Sequence, residues 1–357
     1  MSVFGLDRIF QPRGIALIGA SDRPGTIGRT IMENLLQGES TVGIFPVNPQ
    51  RDRVLDLPAY PSIQAVAQNV DLAVIATPIH TVPGVVRDCA KAGVGGAIVI
   101  SAGGKEAGPE GKRIEGEIAE AAARSGLRII GPNCMGIICA DPPLNASFAT
   151  TQPLAGKLAF ISQSGAICSA ILDLSRKEGI GFRTFVSIGS MLDVDFGDLV
   201  DYLGNDPQVS SIVLYVENLT NIRKFMSAAR AVSRVKPIVV LKSGRSRAGA
   251  RAASSHTGAL AGEDAAYEAA FKRAGIVRVD TIGELFDCAE LMAKQPIPTG
   301  PGLAMMTNGG GPGVMATDAL VAADGTLAEL SPESIKTLDE QLPPQWSGGN
   351  PVDVLGD

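Results

Sequence analysis

Only two histidines and five cysteines occur in this chain of 357 residues, and no two cysteines stand in CxxC spacing. Cys89, Cys134, Cys139, Cys168 and Cys288 are scattered, which gives no metal site and suggests free thiols in a reducing compartment. Basic residues are not in excess either: 31 Lys+Arg against 37 Asp+Glu leave a formal net charge of −6. Neither nucleic acid nor an anionic membrane surface is therefore a favoured partner. No apolar run approaches the ~20 residues that a membrane helix needs. Met1 to Gly14 has charges and a proline where a signal peptide would need an apolar stretch, so a cytoplasmic location is expected. What the chain does have is apolar material, 45% of residues against 19% charged, enough for buried sheets. Its length exceeds one hydrophobic core, and two or three domains follow.

Short apolar runs alternate with amphipathic stretches. The first series reads as strand Gly14–Gly19, helix Ile27–Gln37, strand Thr41–Val47, strand Leu72–Ala76, helix Thr81–Ala92, strand Ala97–Ser101, helix Glu110–Arg124 and strand Arg128–Gly131. Continuous apolar strands such as Leu72-Ala73-Val74-Ile75-Ala76 imply burial on both faces, hence a parallel sheet between helices and a doubly wound α/β domain. The segment Asp141 to Ala155 has no clear period and reads as a linker. A second α/β series follows, with strands at Leu158–Ser162, Gly181–Ser187, Ser211–Tyr215 and Pro237–Leu241, ending in helix Ile282–Lys294. A proline-marked linker, Gln295 to Pro301, precedes strand Gly302–Thr307 and helix Gly311–Ala323. The remainder is too short to close another sheet, and a subdomain cut inside a larger protein is expected.

The loop Gly19-Ala-Ser-Asp-Arg-Pro-Gly25-Thr-Ile-Gly28 follows strand one and opens a helix, an arrangement that lets backbone N–H groups approach a phosphate. Its spacing is wider than GxGxxG. The acidic residue that nicotinamide binders carry at the end of strand two is replaced by Asn48, with Arg51 and Arg53 just beyond. A ligand with a phosphate near its ribose suits this pattern; CoA and NADP both qualify. The strand-end loops at Thr77-Pro78, Ser101 and Asn133-Cys134 point to the same sheet edge. Cys134 reads as a small buried thiol, since no histidine follows in its unit.

His80 reads as a helix-start residue. His256 sits in Ser254-Ser255-His256-Thr257-Gly258-Ala259-Leu260-Ala261-Gly262, where small neighbours leave the imidazole accessible. Lys242, Arg245, Arg247 and Arg251 precede it and could attract an anionic substrate. A solvent-facing loop histidine is the plain alternative. Two features argue against that. Glu217, just past strand Ser211–Tyr215, can accept the Nδ1–H of a histidine and leave Nε2 nucleophilic. The turn Ser162-Gln163-Ser164-Gly165-Ala166 can hold a phosphate at a helix N-terminus.

With SHTGALAG and Thr307-Asn308-Gly309-Gly310-Gly311-Pro312-Gly313, the chain resembles, over its whole length, the NDP-forming acyl-CoA synthetase superfamily. That superfamily includes succinyl-CoA synthetase alpha subunits, ADP-forming acetyl-CoA synthetases and fused acetate-CoA ligase/acetyltransferase proteins. The resemblance implies a Rossmann-like CoA-binding domain over 1–140 and a flavodoxin-like succinyl-CoA synthetase-type domain over 153–295. The third region, 301–357, would be the truncated start of a CoA-ligase subdomain. It implies CoA contacts from Gly19, Ser21, Gly25, Ile27 and Gly28, and from Pro46, Val47, Asn48, Thr77, Pro78, Ser101, Asn133 and Cys134. It makes His256 the phosphorylated residue, Glu217 its partner, and Ser164 and Gly165 the phosphate site. The implied reaction interconverts a small carboxylic acid, CoA and ATP with acyl-CoA, ADP and phosphate through an acyl phosphate. ATP or ADP with Mg2+ would bind an ATP-grasp module outside these residues, as a beta subunit or a fused C-terminal region, in an oligomer. Another reading is a CoA- or acyl-CoA-sensing regulatory region of a protein acetyltransferase; such regulators often lack the histidine that is present here. A nicotinamide oxidoreductase is disfavoured by Asn48 and the loop spacing.

Overall fold

The computed structural model describes residues 3–37, 42–246, 248–249, 263–295, 298 and 300–356. Residues up to Gln295 form one compact unit and those from Pro296 onward a second.

The first sheet is parallel throughout. Its strands are β1 (Gly14–Ile18), β2 (Gly43–Val47), β5 (Leu72–Ile75), β6 (Gly96–Val99) and β7 (Arg128–Ile130), in the order β2-β1-β5-β6-β7. A small hairpin, β3 (Arg53–Val54) and β4 (Leu57–Pro58), lies between β2 and β5 in the chain. Helices α2 (Ile27–Leu36), α3 (Val82–Lys91) and α4 (Pro109–Ala123) cover the faces, after a short α1 (Asp7–Phe10). All of β1, β5 and β6 is buried, as their unbroken apolar runs require.

The second sheet contains β8 (Gly136–Ala140), β9 (Pro143–Ser147), β10 (Leu154–Ser162), β11 (Gly181–Ser187), β12 (Ser211–Val216), β13 (Ile238–Lys242) and β14 (Val277–Val279). Its order is β14-β13-β12-β10-β11-β8-β9, with β8 and β9 antiparallel to their neighbours. Helices α5 (Gly165–Lys177), α6 (Phe196–Gly204), α7 (Ile222–Val232), α8 (Asp264–Ala274) and α9 (Ile282–Lys294) flank it. Counting only parallel strands, both sheets have the order 2-1-3-4-5. In such a sheet the chain runs off in opposite directions from the first strand, which opens a crevice at the carboxyl ends beside it. The two crevices therefore fall between β1 and β5, and between β10 and β12.

Asp141 to Ala155 is not the plain linker that its lack of period suggests, and the second sheet starts before residue 153. Strand β9 ends in two buried polar residues, Asn145 and Ser147, and begins at a proline, all poor strand signals. It forms because it can pair with β8 and because Asn145 Oδ1 accepts from the N–H (3.1 Å) and the hydroxyl (2.6 Å) of Ser147. From α2, Asn34, only 5% exposed, donates to the carbonyls of Ser147 (2.8 Å) and Ala149 (2.9 Å). Strand-like bonds from Ser190 N to Pro132 O (2.9 Å), Leu192 N to Gly131 O (3.1 Å) and Val194 N to Ile129 O (3.0 Å) lock the sheets together at their carboxyl edges. Beside them Lys224 bridges Asp195 (2.9 Å) and Asp198 (2.6 Å), two buried carboxylates that cap α6, and Arg128 reaches Asp198 at 3.5 Å.

In the second unit the expected strand Gly302–Thr307 is two short ones, β15 (Gly302–Leu303) and β16 (Met306–Thr307). They pair with β17 (Thr326–Leu327) and β18 (Val352–Asp353) around α10 (Gly310–Ala322) and α11 (Pro332–Gln341). Asn350 makes the break. Its amide donates to the carbonyls of Leu303 and Ala328 and accepts from Met305 N, taking main-chain groups that a continuous strand would pair. Among the described residues no helix is long and apolar enough to cross a membrane.

Candidate functional site

At the first crevice the glycines divide into two kinds. A Cβ on Gly28 would lie 2.1 Å from the carbonyl oxygen of Gly19, and one on Gly19 (φ +94°) 2.6 Å from that of Ala76. These two residues let α2, β1 and the end of β5 approach. Gly25, at φ +76°, has nothing within 4 Å of its Cβ position. Thr26 caps α2 by accepting from Arg29 N (3.3 Å). Asn48 ties the two loops together: its amide donates to Ala20 O (2.8 Å) and accepts from Gln50 N (2.8 Å). Arg51 faces Asp22 at 3.7 Å across the mouth, while Arg53 donates to the carbonyl of Asp56 within its own hairpin.

A groove of about 350 Å³ opens here, with Gly19, Val47, Asn48, Thr77 and Pro78 in its walls. Thr77 is shared with a larger cavity of about 540 Å³ that runs past Ile27, Ser101, Asn133 and Cys134 to Ser164 and Gly165. The strand-end loops along it are stitched to one another: Ser101 Oγ donates to Thr77 O, and Asn133 N, at φ +55°, donates to Ser101 O at 2.9 Å. Cys134 is 4% exposed and bonded to Val99 O (3.3 Å). Burial pushes its thiol up to about 12, so it forms wall and supplies no thiolate. Ser21, Gly25, Gly28 and Pro46 shape the loops without lining these cavities.

The second crevice lies at the far end. Ser164 caps α5, accepting from Ile167 N at 3.4 Å, and Gly165 has nothing within 4 Å of its Cβ position. Gly165 and Ala166, the first residues of α5, line the larger cavity, and a helix start is where anions bind. Asn133 and Gln163 carry the wall on into a third, small cavity of about 40 Å³ that Glu217, Asn218, Lys105 and Ser190 also line. Gln163 is the residue that sequence reasoning missed as a side chain with a task. Its Oε1 accepts from the N–H groups of Glu217 (2.6 Å) and Asn218 (2.9 Å), and its amide donates to Asn218 Oδ1. It thereby pins the Glu217 main chain to the loop that carries Ser164. A polar residue at the switch of a 2-1-3-4-5 sheet was the available signal.

His256, with Arg247 and Arg251, lies outside the described residues. The other two cations expected to serve an anion are engaged elsewhere. Lys242 is 4% exposed, donates to Ser243 O, and stands 4.6 Å from the Tyr267 ring centroid; burial lowers its pKa below the ordinary lysine range. Arg245 pairs with Asp280 and stands 3.9 Å from Asp264. Lys242 is thus taken up in packing, and Arg245 in an exposed ion pair.

The contrast between the glycines is testable. Gly28→Ala should cost on the order of 2 kcal/mol by overpacking, with a lower Tm and weaker ligand binding at the first crevice. Gly165→Ala should leave Tm unchanged and act only on the chemistry at the second. Equal loss of Tm in both would remove the distinction.

Two family models match. One, described as a CoA binding domain, covers residues 13–140; the other, a succinyl-CoA ligase like flavodoxin domain, covers residues 155–292. Acetate--CoA ligase [ADP-forming] I of Archaeoglobus fulgidus is 45% identical over 352 residues, 99% of this chain and 51% of that protein. The alpha subunit of Acetate--CoA ligase [ADP-forming] II of Pyrococcus furiosus is 43% identical over 350 residues, 98% of this chain and 76% of that subunit. The chain thus spans about half the length of the Archaeoglobus relative. Among solved structures, the dinucleotide forming acetyl-coenzyme A synthetase 1 of Ca. Korarchaeum cryptofilum, in complex with phosphate and ADP, superposes with a TM-score of 0.93 at 41% identity. That match covers 98% of this chain and 76% of the other.

Proposed function

This chain belongs to the NDP-forming acyl-CoA synthetase superfamily, and on that footing we propose that it carries the CoA site and the phosphoryl-carrying histidine of a ligase that joins a small carboxylic acid to CoA. The observation that supports this most is the run of cavities linking the two crevices. It joins the glycine loop at Gly19, through Thr77 and Asn133, to the start of α5 and to Glu217. A long ligand with a nucleotide at one end and a reactive group at the other fits such a run. Gly19, Val47, Asn48, Thr77 and Pro78 would hold the nucleotide end of CoA, and Ile27, Ser101, Asn133 and Cys134 the arm that leads to the second crevice.

In the synthetic direction the terminal phosphoryl of ATP, held with Mg2+ on an ATP-grasp module beyond this chain, passes to Nε2 of His256. That module is a beta subunit or a fused region, and the working enzyme is an oligomer. Glu217, accepting from Nδ1–H, keeps Nε2 bare as the nucleophile and stabilises the ring once it is phosphorylated. An oxygen of the acid's carboxylate then bonds to phosphorus as the N–P bond breaks, and the electron pair returns to the imidazole. Beside Ser164 and Gly165 the CoA sulfur then bonds to the acyl carbon of the acyl phosphate as its C–O bond to phosphate breaks; the thiol proton goes to the departing phosphate, which the helix start holds. Positioning and donors to the phosphate oxygens carry most of this chemistry.

The test uses the complete enzyme with labelled ATP. A label on this chain that is acid-labile and base-stable, and that is discharged by acid plus CoA with formation of acyl-CoA, is expected. No such label, or saturable binding of NADH in place of CoA, would overturn the reading.

A further inference from the structure

The reacting groups of this step are anions: a phosphoryl group, a carboxylate and inorganic phosphate. Lys242 is buried against Tyr267, and Arg245 is paired with Asp280. Among the described residues that line the three linked cavities there is one cation, Lys105, which stands in the small cavity with Glu217, Gln163 and Asn133.

Lys105 is held there by construction. It follows β6 in a loop whose N–H groups at Gly103 (2.8 Å) and Gly104 (3.1 Å) donate to Glu106 Oε1. Its own N–H donates to Glu115 Oε1 at 3.1 Å, a carboxylate on the buried face of α4. A Cβ on Gly111 would lie 1.8 Å from Gly104 O, so loop and helix are in main-chain contact. The ammonium group donates to Ser190 O at 2.7 Å. That carbonyl is fixed in turn, because Ser190 N donates to Pro132 O (2.9 Å) and Gly189, at φ +54°, packs so tightly that a Cβ would lie 2.2 Å from Pro132 O. An ammonium has three donors, and the Ser190 carbonyl takes one. Two loops from two sheets thus bring a positive charge into the cavity that Glu217 also lines.

We propose that Lys105 is a catalytic residue of the transfer between phosphohistidine and the acid: its ammonium binds the phosphoryl oxygens while the carboxylate attacks. This rests on the function proposed above. Bringing a carboxylate onto a charged phosphoryl group beside Glu217 sets like charges together. A preorganised cation at that point stabilises the transition state more than the separated reactants. In the step the N–P bond of phosphohistidine breaks and the O–P bond of the acyl phosphate forms; Lys105 keeps its protons throughout.

The experiment separates the half-reactions in the complete enzyme. Lys105→Met should still take label from ATP, because that transfer occurs on the nucleotide module. Discharge of the label by the acid should slow by about 10²–10³-fold, the usual effect of removing one such donor. In the reverse direction its KM for inorganic phosphate should rise, while CoA affinity stays within about twofold of wild type, Lys105 lying outside the CoA walls. Lys105→Arg, which keeps the charge, should recover part of the loss. Discharge from Lys105→Met within about threefold of wild type would overturn the proposal. So would a lowered Tm with labelling and discharge reduced in parallel, since Lys105 would then be a pin between loops. If the wild-type enzyme takes no label, the phosphohistidine reading itself has failed.

Discussion

Replacing His256 with alanine is expected to abolish the acid-labile label and to lower turnover by about 10⁴-fold or more, the scale seen when a covalent nucleophile is removed. The reason is the division of the reaction between two places. In the proposed reaction nucleotide binding belongs to a module beyond this chain, whereas the acid and CoA would meet at the carboxyl edges of the two sheets described here. A phosphoryl group has to be carried between them, and a small side chain cannot carry it. CoA binding should be untouched, because the groove at Gly19, Asn48 and Thr77 belongs to the first crevice. Equilibrium titration with CoA, phosphoenzyme labelling and steady-state turnover on the same preparation check all three points. Residual turnover above about a tenth of wild type would mean that the acid is activated without a phosphohistidine.

Glu217→Gln should lower kcat by about 10²–10³-fold, within the range of a misassigned acid–base partner. The substitution is nearly isosteric, and Gln163 holds residue 217 through its main-chain N–H rather than its side chain, so the loop stays in place. What changes is the charge. In the proposed pairing with His256, a neutral amide would neither favour the Nδ1–H tautomer nor stabilise the cationic ring of phosphohistidine. The label should therefore form more slowly and decay faster, with Tm close to wild type. A variant that labels and discharges like wild type would assign Glu217 to structure alone.

Much of this was legible before any coordinates. The alternation of strands and helices, the parallel character of the buried strands and the ends of most elements follow from apolar periodicity, which local burial enforces. The strand Gly181–Ser187 and the helix Ile282–Lys294 fall where the pattern places them. Strand β9 was hidden because its own polar residues mask its period, and the Asn34 amide that binds the Ser147 carbonyl is more than a hundred residues away in the chain. The break at Ala304–Met305 was hidden for the same reason, since Asn350 makes it from more than forty residues downstream.

Charge was the least readable property. Lys242 and Arg245 stand near His256 in sequence and looked available to a substrate, yet one is covered by Tyr267 and the other pairs with Asp280. Lys105 stands far from both in sequence and yet shares a cavity wall with Glu217. Gln163 likewise looked like filler between two serines.

The amino-acid order alone determined the layers, the glycine-lined turns at strand ends and the histidine and glutamate on which the proposed phosphoryl carriage rests. These depend on local sterics and on which side chains leave water, properties each segment has by itself. Only the tertiary structure decided which strand-end loops become neighbours. The 2-1-3-4-5 order brings the ends of β10 and β12 together, and main-chain bonds between residues 190–194 and 129–132 set the first sheet's edge against them. Where a charged group ends up depends on those long-range pairings, and so the chemistry of the site was settled there.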